Sequence, residues 1–148
     1  GSKEAIFRDL VRDLSDGVRT AAAQRLQERQ LNALDTERAA LTAFLDFARE
    51  HKEIYRIIDE AEFVAPESYR AHYEEAADRI LGRLQAGAQA GELRDDLQEA
   101  HAWAIMGMNV FLGLRYAVWA QEDDAPDEAE RAAQAANSIL VEGIGRKR

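Results

Sequence analysis

Cysteine is absent from all 148 residues, which excludes a disulfide framework, a thiolate nucleophile and any zinc site built on thiolates, and makes a reducing compartment, the cytoplasm, the expected location. Proline occurs twice and glycine nine times, too few for linkers or low-complexity tracts. Cations are in deficit: 19 Lys and Arg stand against 28 Asp and Glu, a formal net charge of -9. A surface of that sign repels phosphates, so the chain itself is not expected to bind nucleic acid. Signatures of catalysis are lacking as well. A helical di-iron site needs Glu-x-x-His pairs, yet no Glu lies three residues before His51, His72 or His101. Ser2, Ser15, Ser68 and Ser138 sit in no G-x-S-x-G elbow, and there is no phosphate-binding glycine loop. The carboxylate pairs Glu74-Glu75 and Asp95-Asp96 are adjacent, and adjacent helical side chains diverge. The expectation is a protein that is not an enzyme and carries no cofactor or metal.

What is present is helical periodicity in a chain sized for one domain, residues 1–148. Ile6, Leu10, Leu14 and Val18 recur at spacings of three and four, predicting a helix from Ser2 to about Leu31 that runs on through the weak stop at Gly17. Asp35 or Thr36 is the expected cap of a second helix with Leu41, Phe44, Leu45 and Ala48 on its apolar side. A break near Glu50-His51 precedes a cluster at Ile54, Tyr55, Ile57 and Ile58. Pro66 suits the first position of a helix that stops at Gly87 or Gly91. Asp95 with Gln98, or Asp96 with Glu99, resembles a capping box launching a helix toward Trp119. Pro126 opens the last, which ends by Gly143 or Gly145. No segment alternates with period two over a strand's length. The predicted class is all-α, with about six helices.

Ala102 to Ala120 is apolar on every side apart from Asn109 and Arg115. Arg115 and the charged remainder argue against a membrane span. A helix of this kind is either the centre of a monomeric core or faces its own core on one side and a second subunit on the other, and the alanine-rich seam of the last helix favours the second reading. Two helices from each of two chains then form an intermolecular four-helix bundle. The expected dimer interface is Ile105, Met108, Leu112, Tyr116 and Trp119 with Ala132, Ala136, Ile139 and Leu140; the stripe of Trp103, Met106, Val110, Gly113 and Ala117 is expected to look inward. Asn109 reads as a hydrogen-bonded core amide and Arg115 as an ion-pair partner.

Several motifs resemble those of the TetR family of transcriptional regulators. Gly1-Ser2-Lys3-Glu4-Ala5-Ile6-Phe7 resembles the run joining the DNA-recognition helix to the regulatory domain. Phe44-Leu45-Asp46-Phe47-Ala48-Arg49-Glu50-His51 with Tyr55-Arg56 is similar to an F-x-x-F-x-x-x-H-x-x-x-Y-R pattern. The stretch Gly87 to Arg94, followed by Trp103-Ala104-Ile105-Met106-Gly107 and Gly113-Leu114-Arg115-Tyr116, is similar to an A-x-x-x-G-E-L-R, A-W-x-x-x-G and G-L-R section. The resemblance implies an effector-binding and homodimerising domain of a regulator such as a repressor. Its ligand-binding core spans about 1–94 and its dimerisation helices about 95–145, and DNA is read only through a helix-turn-helix head that precedes Gly1 in such proteins and is absent from this chain. Tyr55 to Glu67 also looks similar to TetR-like segments fused to acyl-CoA or feruloyl-CoA synthetases, which keeps that fusion as an alternative beside a scaffold dimer that binds nothing.

Aromatic residues are frequent around the implied pocket. Expected ligand-binding residues are Phe44, Phe47, Tyr55, Glu62, Phe63, Tyr73, Trp103, Met106, Asn109 and Val110, with Arg56, His72 and Arg79 as further polar candidates. Such a lining suits a small apolar or aromatic effector held by a few polar groups. A polyanion such as a CoA ester needs a local cation cluster, for which Arg79 and Arg83 are the candidates. The expected partners are a second copy and that effector, with no membrane.

Overall fold

Apolar residues three and four apart build six α-helices among the residues described by the computed structural model, which are 2–27, 31–124 and 127–146. They are α1 (Ser2–Gln27), α2 (Ala33–Glu50), α3 (Glu53–Val64), α4 (Pro66–Gln89), α5 (Glu99–Gly113) and α6 (Glu128–Gly143). A five-residue π-helical segment, Leu114–Val118, continues α5 and closes with Trp119 N–H donating to Leu114 C=O at 2.9 Å. The all-α class holds, as do the break at His51, Pro66 at the start of α4 and the end of α6 at Gly143. The proposed Pro126 start lies outside the described residues.

α1 is described from Ser2 to Gln27; the remainder of its expected run to about Leu31 falls at residues 28–30, outside the described residues, and Leu31 itself is not helical. Two boundaries differ from the periodicity reading, each because a side chain captured an unpaired backbone group. α2 is capped by Asn32 rather than Asp35 or Thr36: its Oδ1 accepts from Asp35 N–H at 2.8 Å, placing both expected caps inside the first turn. α5 starts at Glu99, not at Asp95 or Asp96. Asp96 is forked by Arg94 at 2.9 and 2.6 Å, while His101 Nδ1 accepts from Gln98 N–H at 2.9 Å and fixes the first turn.

The Gly91-Glu92-Leu93-Arg94 run is a joint in which each residue has a task. Gly91 ends α4 at φ +77°, where a side chain would be strained. Glu92 N–H donates to Gly87 C=O at 2.9 Å and Gly91 N–H to Ala88 C=O at 3.0 Å, a Schellman end. The Glu92 carboxylate accepts from Ala33 N–H at 2.6 Å at the head of α2. Leu93 is fully buried, and Arg94 donates to Gly143 C=O at 2.8 Å at the foot of α6. Leu93 and Gly145 pair as a lone antiparallel bridge. Four residues therefore join the ends of α4, α2 and α6.

Packing divides into three apolar groups. Val11, Ala48, Ile54, Ile58 and Ala61 join α1, α2 and α3 at one end. Ile80, Leu84, Leu93, Ile105, Met106 and Leu140 join α4, α5 and α6 at the other. Leu41 and Leu45 of α2 meet Ala129, Ala132, Ala133 and Ala136 of α6. The alanine seam is thus used within the chain: small side chains let α6 lie against α2. No helix of the described residues is long and apolar enough to cross a membrane.

Candidate functional site

Between the α1–α3 and the α4–α5 groups the packing leaves a cavity of about 130 Å³. Interiors normally close such a gap, and its walls come from five helices. α1 contributes Val18, Arg19 and Ala22; α2 Ala40 and Phe44; α3 Ile54, Tyr55 and Ile58. α4 contributes His72, Tyr73, Ala76, Arg79, Ile80 and Arg83, and α5 Met106, Asn109 and Val110.

The aromatic wall is held by a close approach at Gly113. A Cβ there would overlap the Tyr55 hydroxyl and come within 2.8 Å of Phe44. Without it, the Tyr55 hydroxyl donates to Val110 C=O at 2.6 Å, tying α3 to α5. Lys52 Nζ adds a second tie, to Ala120 C=O at 3.0 Å. Burial, then Tyr73 and Asp59, raises the Tyr55 phenol far above its ordinary range; burial, then Tyr69, Asp59 and Glu62, pushes Tyr73 up to about 12. Both are therefore neutral hydroxyls at physiological pH.

The α1 and α4 wall is polar. His72 Nδ1 shares a 2.5 Å hydrogen bond with Ser15 Oγ of α1. Burial, helped by Arg79, lowers the imidazole to about 4, so the ring is neutral at pH 7. Arg83 forks onto Glu37, its Nε and Nη2 at 2.7 and 3.1 Å from the two carboxylate oxygens. Glu37 is 3% exposed, a buried charge kept in α2 by that pair. Arg19 donates to Asp16 at 3.0 Å. Arg79 makes no hydrogen bond or ion pair among the described residues.

Of the ten residues expected to hold a ligand, Phe44, Tyr55, Tyr73, Met106, Asn109 and Val110 line this cavity. The other four lie elsewhere. Phe47 packs against Gly17, where a Cβ would approach its ring to 2.7 Å, and its ring lies tilted against His51 with centroids 4.5 Å apart. Gly17 is therefore a contact point within a continuous α1, not a stop. Glu62 and Phe63 face outward at the end of α3, Phe63 being 83% exposed. Trp103 is on the outer side of α5, its indole N–H 3.3 Å from Glu99. Among the polar candidates, His72 and Arg79 reach the cavity, whereas Arg56 pairs with Glu60 on the surface. Asn109 makes no hydrogen bond among the described residues and is free in the cavity wall rather than bonded in the core. Val18, Ala22, Ala40, Ile54, Ile58, Ala76 and Ile80 escaped the sequence reading because an apolar helical stripe looks alike whether it meets side chains or a void, and Arg19 because a charge on α1 reads as a solvated face.

The expected dimer stripe is also largely covered by its own chain. Ile105 and Leu140 are buried between α4, α5 and α6; Ala132 and Ala136 are buried against α2; Met108, Leu112 and Tyr116 pack on these groups. Only Trp119 and Ile139 of the nine stand exposed. Arg115 lies over the Tyr116 ring at 4.9 Å and makes no ion pair among the described residues. The free apolar side chains of this end are Trp103, Phe111, Trp119, Ile139 and Val141. Trp103, Gly107 and Phe111 share one side of α5 by spacing, and a Cβ at Gly107 would meet nothing within 4 Å. A helix apolar all round gives periodicity no means of telling its inner from its outer side.

No family model and no curated protein matches the chain.

Proposed function

We propose that this chain is an effector-binding, homodimerising regulatory domain of the TetR-like kind, in which a small apolar-bodied molecule fills the five-helix cavity. The observation carrying this reading is the place of α1. Val18, Arg19 and Ala22 stand in the cavity wall, so an occupant touches the helix to which a DNA-reading head is joined in the proteins these motifs resemble. Binding that prefers one position of α1 alters the spacing of two such heads in a dimer, and half-sites about 34 Å apart tolerate little displacement. Coupling of about 1–3 kcal/mol is enough for control, provided the ligand prefers one state.

Homodimerisation is supported by apolar surface the chain does not cover. Phe111 is 72% exposed, with Trp103 beside it on α5 and Ile139 and Val141 on α6. Large exposed side chains of this type, around a glycine that nothing within the chain requires, suit close approach by a second copy.

The functional test joins a helix-turn-helix head ahead of Gly1 and measures operator affinity with each compound that stabilises the domain. A roughly 5- to 150-fold change with at least one ligand is the expected result. Operator affinity unmoved by every compound that binds contradicts the proposal.

A further inference from the structure

The cavity has two unlike sides. Phe44, Ile54, Ile58, Met106 and Val110 offer ring and hydrocarbon, whereas Arg19, His72, Arg79 and Arg83 place every ionisable nitrogen of the lining on α1 and α4. Among the described residues no carboxylate lines it.

Two of the three guanidinium groups are already satisfied, Arg83 by Glu37 and Arg19 by Asp16. Arg79 is not. It is partly buried, and burial together with the charges of Arg83 and Arg19 disfavours its cationic form, opposed by Glu75 and Asp16. Neither of those carboxylates reaches ion-pair distance of Arg79, and Asp16 already pairs with Arg19. His72 offers no negative charge, being neutral and hydrogen-bonded to Ser15. A cation held this way, between like charges at the edge of an apolar void, is complementary to an anion that brings a hydrophobic body with it.

Size limits the body. An apolar hole of about 150 Å³ admits a benzene ring, and the present cavity is about 130 Å³. One unpaired guanidinium matches one planar carboxylate. It does not match a multiply charged phosphate handle, which the net charge of -9 also repels. We propose that the cavity takes a small monocarboxylate with an aromatic or short aliphatic body, its carboxylate forked onto Arg79 and its body between Phe44, Ile54, Ile58 and Met106. This rests on the reading of the cavity as an effector site and adds the charge and size of the effector.

The test is calorimetric titration of the intact chain with matched pairs, 3-phenylpropanoate against 3-phenylpropanamide and octanoate against octanamide, together with the CoA thioester of 3-phenylpropanoate. The acids are expected to bind roughly ten- to hundredfold more tightly than the amides, the size of a charge-assisted hydrogen-bond pair. Arg79→Gln should erase that difference and leave amide affinity in place. The acid–amide contrast in the unaltered chain needs no variant to fold. Amides that bind as tightly as acids, a contrast that survives Arg79→Gln, or a thioester that binds where the acids do not would each overturn the carboxylate assignment while leaving the effector site standing. Silence from all five probes overturns the assignment and removes its foundation as well.

Discussion

Two residues carry consequences out of proportion to their size. Gly113 is where the Tyr55 phenol crosses α5. Gly113→Ala should therefore destabilise the fold by about 1–3 kcal/mol, as overpacking does. Tyr55→Phe in the same chain should recover part of the loss, because the overlap with the hydroxyl goes even though the tie to Val110 goes with it. Denaturant melts of the two single variants and the double variant measure that coupling. His72 predicts a pH dependence. Its ordinary value is 6.5 and its value in the fold about 4, so the unfolded chain takes up the proton first as pH falls. The stability contributed by the neutral ring is complete above pH 6.5, declines between 6.5 and 4, and is lost below, a total of about 3 kcal/mol. His72→Gln should flatten that part of the stability–pH curve relative to the unaltered chain. Equal slopes for the two proteins would contradict the burial argument.

Among the elements, α2 and α4 are held by a charge pair at the edge of the cavity. Glu37 is buried and Arg83 retains some contact with water, so Glu37→Gln should cost about 2–3 kcal/mol, less than for a wholly buried pair. It would also release a second guanidinium into the cavity wall, and chemical denaturation with and without carboxylates reads both effects. Helix existence was legible in the sequence, because α1 to α6 each show spacings of three and four that only one backbone period satisfies. The ends were less so. Asn32 outcompeted Asp35, and Arg94 occupied Asp96, through contacts made only once the chain is folded. Part of the site was legible too: Phe44, Tyr55, Tyr73 and Asn109 stand out as aromatic and polar residues along the middle helices, and Met106 and Val110 as one stripe of an apolar helix. Phe63 and Trp103 carry the same residue types on outward faces, a distinction that lies in the angle between helices and not in any one helix. Arg79 and Arg83 were noted as a pair of cations, yet which of them is free depends on Glu37, 46 residues from Arg83 along the chain.

At the scale of the whole molecule, the bundle leaves a cavity of about 130 Å³ inside and exposed apolar side chains outside. The outer region predicts association. The 16.6 kDa chain should sediment at twice that mass, and Phe111→Glu, which places charge on an already exposed site, should return it to a monomer with the fold intact. The inner gap is the central claim. Melting of the unaltered chain against a library of small aromatic and aliphatic acids, amides and neutral compounds tests it directly, with Ala76→Phe as the variant whose cavity is filled. A compound present at a hundred times its Kd adds about 2.7 kcal/mol, which for a domain of this size raises Tm by roughly 5–10 °C. The prediction is such a shift in the unaltered chain and its loss in the filled one; no shift from any compound, or a shift that Ala76→Phe leaves unchanged, would contradict the account.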